Sequence, residues 1–251
     1  MKRLLDMTLS LTGLVVLLPL LLAVALLIFL QDFRNPFYTP LRMARGAGQF
    51  RMVKFRSMRV YADQTGVNST SADDPRVTPI GSIVRRFKLD EILQLWNVLK
   101  GEMSLVGPRP QVALEASLYT DLERKMLSVR PGITDAASIV FSDLADILKG
   151  SEDPNLLYNQ IVRPWKSRLA LAYIEHQSLL VDLKLIAITV INIVSRPVAL
   201  RRLQAVLKSW KVDRQLLEIA GRAGQLVPCP PPGAVEIVCS YPSAPLDSPE
   251  G

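Results

Sequence analysis

Residues 9–30 read LSLTGLVVLLPLLLAVALLIFL, 22 positions without a charge, long enough to cross a bilayer as a helix. Pro19 sits mid-run, where a proline lacks the N–H that the helical ladder needs. Basic residues flank both ends: Lys2 and Arg3 before it, Arg34, Arg42, Arg45 and Arg51 after it. Flanks of that sign stay on the cytoplasmic side. A kinked span and a helix–break–helix at Pro19 that enters and leaves by one face are the two open topologies. Only the second satisfies both the proline and the paired basic flanks. A cleaved secretory signal fits less well, because the apolar run is too long and no A-x-A site follows it.

The polar remainder alternates short elements. Residues 35–53 are loop with extended pieces, and 53–60 (VKFRSMRV) suit a strand. Residues 64–79 are polar turn material. Pro79 opens a helix through 87, and a second helix over 90–100 stops at Gly101. A short apolar run at 103–106 precedes GPRP. Residues 111–129 predict a helix ended by Pro131-Gly132, and 155–194 predict two helices around His176-Gln177-Ser178. The uncharged part of 179–194 is only ten residues, which favours a core helix over a second span. At about 100° per residue, Ala199, Leu203, Val206, Leu207 and Trp210 share one face, with Arg201, Lys208 and Lys211 opposite. That stripe fits packing on its own domain or, as favoured here, a helix at the bilayer surface. Residues 226–251 hold seven prolines, predicting a disordered or linker-like tail that is dispensable for activity.

Composition removes several classes. At 251 residues, 49% hydrophobic and 21% charged, with mean hydropathy +0.22, the chain is too apolar to be disordered. Its one histidine, His176, cannot build a multi-histidine metal site and reads as structural. Cys229 and Cys239 both fall in the last 25 residues, form no CxxC motif and read as free thiols. The tail has no Lys or Arg, so the first 225 residues carry 30 basic and 20 acidic groups. A basic body invites nucleic acid, an anionic membrane or phosphorylated substrates, but no nucleic-acid-binding module accompanies it.

Three polar runs carry candidate chemistry: KFRSM (54–58), DPRVT (74–78) followed by Arg85-Arg86, and the block from Leu89-Asp90-Glu91 to Pro108-Arg109-Pro110. Asp90 and Glu91 at a helix start are either first-turn carboxylates favoured by the dipole or a working pair, one attacking phosphorus and one holding a metal. Lys54, Arg56, Arg85 and Arg109, set near tight Gly/Pro turns, suit a phosphate clamp. Asn97 and Ser104 read as structural hydrogen-bonders.

These residues resemble the monotopic polyprenol-phosphate phosphoglycosyl transferases of the bacterial sugar transferase family. The resemblance covers about residues 1–195. It adds Asp6 before the Pro-broken run, PGIT (131–134), Tyr173 and SLLVDLKLIAIT (178–189) to the three runs. Leu93 stands where DELPQ has proline, and Asp135 where many members have glycine.

The resemblance implies an α+β, mainly helical fold with few short strands. Residues 1–34 would be the re-entrant membrane helix, 35–195 the cytoplasmic catalytic domain, 196–225 basic interfacial helices and 226–251 the Pro-rich tail. It implies transfer of a phospho-sugar from a UDP-sugar to undecaprenyl phosphate, with Asp90 as nucleophile, Glu91 binding Mg2+, and Lys54, Arg85 and Arg109 on the phosphates. The place would be the cytoplasmic face of a bacterial inner membrane, with lipid as partner, no nucleic acid, and a homodimer left open. The contrasting reading is a non-catalytic, membrane-associated interaction protein that kept the fold.

Overall fold

The computed structural model describes residues 1–62, 70–71 and 73–242; the polar run over 64–79 and the end of the tail lie partly outside them. The first helix, α1 (Lys2–Asp32), contains Pro19. Leu14, Leu17, Leu21, Val24 and Ile28 recur every three or four residues and pack on Phe55, Ile80, Val84, Leu89 and Ile92. On its other side Leu11, Val15, Leu18, Leu22, Leu26 and Phe33 are exposed.

Both ends of α1 are tied to the same body. Lys2 Nζ donates to Asp182 at 2.5 Å and to the Val106 carbonyl at 3.1 Å. Arg3 donates to the carbonyls of Val98 and Leu99, at a helix C-terminus that favours a cation. Asp6 accepts from Ser104 Oγ at 2.8 Å. At the far end Arg56 grips Asp32 through two nitrogens, at 2.6 and 2.8 Å. The helix–break–helix expected at Pro19 is thus one continuous helix. Proline forfeits the bond to the Val15 carbonyl, but contacts at Leu17 and Leu21 hold both halves on the same protein surface.

Four short strands follow. β2 (Leu41–Met43) and β3 (Gln49–Arg51) form a hairpin, and β1 (Phe37–Tyr38) pairs antiparallel with β4 (Lys54–Phe55). Only Lys54–Phe55 of the strand expected over 53–60 is realised, with a single bridge from Met58 to Val77. α2 (Pro79–Arg86) starts as expected, its Gly81 N–H capped by the Thr78 side chain. The helix expected over 90–100 is two, α3 (Leu89–Ile92) and α4 (Gln94–Lys100), jointed at Leu93. Gly101 ends α4 at φ 86°, a conformation glycine adopts without penalty.

β5 (Ser104–Val106) and β6 (Gly132–Thr134) pair in parallel. Of the helix expected over 111–129, only α5 (Ala113–Ser117) and a 3₁₀ stretch, Glu123–Ser128, form. A distant side chain stops it: Arg163 takes the Leu118 carbonyl, and Thr120 Oγ caps the Glu123 N–H at 3.1 Å.

The rest is helical: α6 (Ala136–Val140), α7 (Leu144–Ile147), α8 (Pro154–Ile161), α9 (Arg163–His176), α10 (Leu179–Val194), α11 (Arg196–Ser209) and α12 (Arg214–Ala220). The two helices expected over 155–194 are three, because α8 ends at Ile161, with Val162 as its cap, just before Pro164 in the first turn of α9. His176 is structural, bonded to the Ala172 carbonyl and stacked on Trp210 at 5.1 Å. Ala199, Leu203 and Leu207 of α11 are fully buried beside Leu185 of α10 and Ala220 of α12. The surface-helix expectation for α11 is therefore corrected, since its apolar face lies in the protein core.

The tail is corrected too. Residues 226–242 have no helix or strand, yet they are docked. Cys229 N–H donates to the Gln160 carbonyl, Arg168 to the Pro230 carbonyl, Gln160 to the Val238 carbonyl and Thr120 Oγ to the Pro232 carbonyl. Both cysteines are free. Treating 226–242 as dispensable loses its basis.

Glu123 and Arg163 form a buried pair at 2.5 Å, with Ser167 Oγ donating to the same carboxylate at 2.6 Å. Glu123→Gln leaves the guanidinium without its counter-charge, and is expected to cost about 3–5 kcal/mol in denaturant unfolding. A loss under about 1 kcal/mol would contradict this account of the pair.

Candidate active site

Local sequence sets the direction of each site residue. Leu89 and Ile92, three apart on α3, turn toward α1, which leaves Asp90 and Glu91 on the side away from it. Along β4 alternation sends Phe55 into the α1 cluster and Lys54 to the opposite face. There Lys54 lies opposite Tyr38, its ammonium 5.4 Å from the ring centroid. Asn97 fixes the end of β3 and the link into β4 to α4, accepting from Val53 N–H and donating to the Arg51 carbonyl, each at 2.8 Å.

Arg109 is held by a backbone crossing. Gly107 N–H donates to the Thr134 carbonyl, and Gly132 N–H to the Pro108 carbonyl. A Cβ on Gly132 would come within 2.1 Å of Gly107 N, and one on Gly107 within 2.4 Å of the Arg130 carbonyl oxygen. Only glycine allows this approach, and it aims the following Pro108-Arg109-Pro110 at the dyad. Arg109 donates to Glu91 Oε1 at 2.5 Å.

Charges around the dyad are unevenly satisfied. Burial, and then the adjacent Glu91, push the Asp90 carboxyl above the ordinary range, against Lys54, Arg85 and Arg109. Burial also acts to raise Glu91, but Arg109 and Lys88 outweigh it and bring its pKa down. Glu91 in turn raises Arg109. Burial, with Arg42, draws Lys54 down to about 8, and burial lowers Arg85. Asp90 Oδ1 is buried and has no hydrogen-bond partner.

Asp90, Glu91, Lys54, Arg85 and Arg109 therefore meet. Arg56 does not join them, because both its terminal nitrogens are committed to Asp32; its expected phosphate role becomes that of a tie to α1. DPRVT is also a tie, with Arg76 bonded to Asp74 at 2.7 Å and Thr78 N–H donating to the Ser57 carbonyl. Arg42 and Lys88 were not anticipated. Arg42 acts on Lys54 and Lys88 on Glu91. Lys88 sits at φ 57°, next to the dyad in sequence, and that adjacency was the one signal available for it.

The chain belongs to the bacterial sugar transferase family. The family's profile matches residues 1–196, spanning α1, the dyad and the Pro108-Arg109-Pro110 turn. This member of the bacterial sugar transferases is 36% identical over 207 residues to the exopolysaccharide production protein PSS of Rhizobium leguminosarum, covering 78% of this chain and 96% of that one. It is 35% identical over 204 residues to the UDP-glucose:undecaprenyl-phosphate glucose-1-phosphate transferase of Xanthomonas campestris, covering 79% of this chain and 40% of the relative. It is 39% identical over 200 residues to the undecaprenyl-phosphate glucose phosphotransferase of Komagataeibacter xylinus, at 75% and 35%. The chain thus spans well under half of the last two. The family makes it a transferase; the structure is mainly helical, and among the described residues one helix is long and apolar enough to cross a membrane.

Among the described residues no three or more His, Cys, Asp or Glu side chains converge, so no all-protein metal cage exists there. Magnesium does not require one, since it commonly takes one or two carboxylates and completes its shell with phosphates and water. The adjacent Asp90 and Glu91, with Asp90 Oδ1 unpartnered, fit that need.

Proposed function

We propose that this transferase moves a phospho-sugar from a UDP-sugar to undecaprenyl phosphate through a covalent intermediate on Asp90. The observation that carries the reading is the buried, unpartnered Asp90 Oδ1 among Lys54, Arg85 and Arg109, while Glu91 is engaged by Arg109. A carboxylate whose pKa is raised is more basic and a stronger nucleophile than an ordinary one, and no hydrogen bond must break before it attacks.

An Asp90 oxygen attacks the β-phosphorus of the donor. The new O–P bond forms as the bridging P–O bond breaks, and UMP leaves with that electron pair. Arg109, Lys54 and Arg85 hold the phosphate oxygens and offset their charge. When bound at Glu91, Mg2+ supplies further neutralisation of the diphosphate. A phosphate oxygen of the lipid then attacks the same phosphorus, and the Asp90 carboxylate leaves. The product is the diphosphate-linked sugar. Such double displacement gives ping-pong kinetics, and serves as a first membrane step in surface glycan synthesis.

The exposed outer face of α1 supplies the membrane contact. Ion pairs at both ends to the same domain, Lys2–Asp182 and Arg56–Asp32, support a helix that begins and ends on one side, with the catalytic domain on the cytoplasmic face. A cysteine at Leu4, which is exposed, placed in a Cys229→Ser/Cys239→Ser background, is expected to label only from the cytoplasm. Labelling from the periplasm would refute it.

The direct assay is UMP release from a panel of UDP-sugars with undecaprenyl phosphate and Mg2+. No release from any of them would favour a non-catalytic interaction protein instead. The pH profile is a sharper signature. Asp90 must be ionised, so kcat/KM is expected to rise through a pKa above the ordinary carboxylate range. Lys54 must be charged, so kcat/KM falls as pH climbs through about 8. Lys54→Arg keeps the cation and is expected to shift the alkaline limb upward. An unmoved limb would assign it to another group.

A further inference from the structure

The Lys2 ammonium has three N–H donors and meets three acceptors: Asp182 Oδ2 at 2.5 Å, the Val106 carbonyl at 3.1 Å and the Tyr173 hydroxyl at 3.3 Å. The Tyr173 hydroxyl gives its one proton to Asp182 Oδ1 at 2.6 Å, which leaves Lys2 as the donor to Val106. Asp182 and Tyr173 are both buried, and the mechanism uses neither. One turn further along α1, Asp6 is buried too, and accepts from Ser104 Oγ at 2.8 Å and from Leu105 N–H at 3.2 Å. Three successive residues of β5 are thus held from one turn of α1. An anchor for α1 alone needs only surface groups, whereas these bonds converge on the strand that runs into Gly107-Pro108-Arg109.

The Val106 carbonyl and the Gly107 N–H belong to one planar peptide group. Lys2 holds its oxygen and the Thr134 carbonyl holds its N–H, each at 3.1 Å. Beyond that plane the chain has little freedom. Pro108 fixes its own φ, and Pro110 confines Arg109 to extended backbone. A tilt of the 106–107 plane is therefore passed on to the Arg109 guanidinium, which bonds Glu91. We propose that Lys2, itself set by Asp182 and Tyr173, is a positioning residue for Arg109, so that the first turn of α1 sets the reach of the phosphate-binding arginine. The inference rests on the proposed reaction for the task of Arg109 and adds the residues that hold it to that task. Loss of Lys2 leaves the Asp182 carboxylate buried without its cation and the Val106 oxygen without its donor, and the plane is free to turn. A displacement of about 1 Å at a reacting group costs up to about 10²-fold in rate.

The test pairs Lys2→Met with Arg109→Ala in the full-length detergent-solubilised protein. Hydrogen–deuterium exchange reads the turn without any turnover. Peptides covering 104–112 are expected to exchange at least about tenfold faster in Lys2→Met, while those covering α12 exchange as in the wild type. UMP release reads the consequence. Lys2→Met is expected to lower kcat by about 10–10²-fold when Arg109 is present. When Arg109 is already alanine the further loss should be no more than about twofold, because residues that act through one another are not additive. Lys2→Arg keeps a cation for Asp182 and the Val106 carbonyl, and should recover most of the rate. Arg3 keeps positive charge at the helix start in every variant. Tyr173→Phe leaves α1 unaltered and is expected to give the same pattern with a smaller loss, and melting curves confirm that each variant is folded. Equal losses in both Arg109 backgrounds would mark Lys2 as a support of the fold alone and overturn the proposal. So would unchanged exchange over 104–112 in folded Lys2→Met and Tyr173→Phe. No UMP release from the wild type would strike the proposed reaction instead, and the exchange over 104–112 would still decide the positioning.

Discussion

Asp90→Asn is expected to reduce UMP release by at least about 10³-fold while leaving the melting temperature where it is. The amide is nearly isosteric, so the packing of α3 on α1 through Leu89 and Ile92 is retained. Asp90 Oδ1 makes no hydrogen bond, so the substitution breaks none there. It also removes the like charge beside Glu91, which adds to the raised Asp90 pKa. What disappears is the nucleophilic oxygen. A folded Asp90→Asn protein that keeps turnover within tenfold of wild type would mean that the phospho-sugar is carried elsewhere or transferred directly.

The second large effect belongs to Arg109. Its guanidinium bonds Glu91 at 2.5 Å, and it bears electrostatically on Asp90 and Lys54 as well. Arg109→Ala removes a preorganised donor at the phosphate and is expected to cost about 10²–10³ in kcat. It also removes a positive charge that holds the Asp90 pKa down, so the acid limb that Asp90 sets should move to higher pH. Arg109→Lys keeps a charge but loses the planar fork, and should recover only part of the rate. Full activity in the alanine variant, with an unmoved acid limb, would show that Arg109 serves the turn and not the phosphates.

Residue patterns revealed the site better than they revealed its supports. The long apolar helix and the dyad at a helix start follow from the residue pattern; the packed stripe at Leu14, Leu17, Leu21, Val24 and Ile28 does not, because the run is apolar on every face. Arg56 reads as a phosphate ligand in sequence because its partner, Asp32, lies 24 residues away, and a lone arginine in a basic motif carries no sign of that distance. The helix expected over 111–129 failed for a similar reason: Arg163, far along the chain, takes the carbonyl that would extend it. The stripe on α11 fits a bilayer or a core equally well, and only the packing of Leu203 and Leu207 decides. In the tail, proline content alone predicts disorder. Prolines also restrict the unfolded chain, and here their carbonyls meet donors on Arg168 and Thr120.

The central claim is the covalent intermediate, and one measurement addresses it directly. The full-length protein is incubated with a UDP-sugar and Mg2+ but no lipid acceptor, quenched, digested and mapped by peptide mass analysis. The account predicts sugar-phosphate mass on the peptide containing Asp90, formed with one equivalent of UMP and discharged when undecaprenyl phosphate is added. Label on another residue, or full turnover with no labelled peptide, would contradict it.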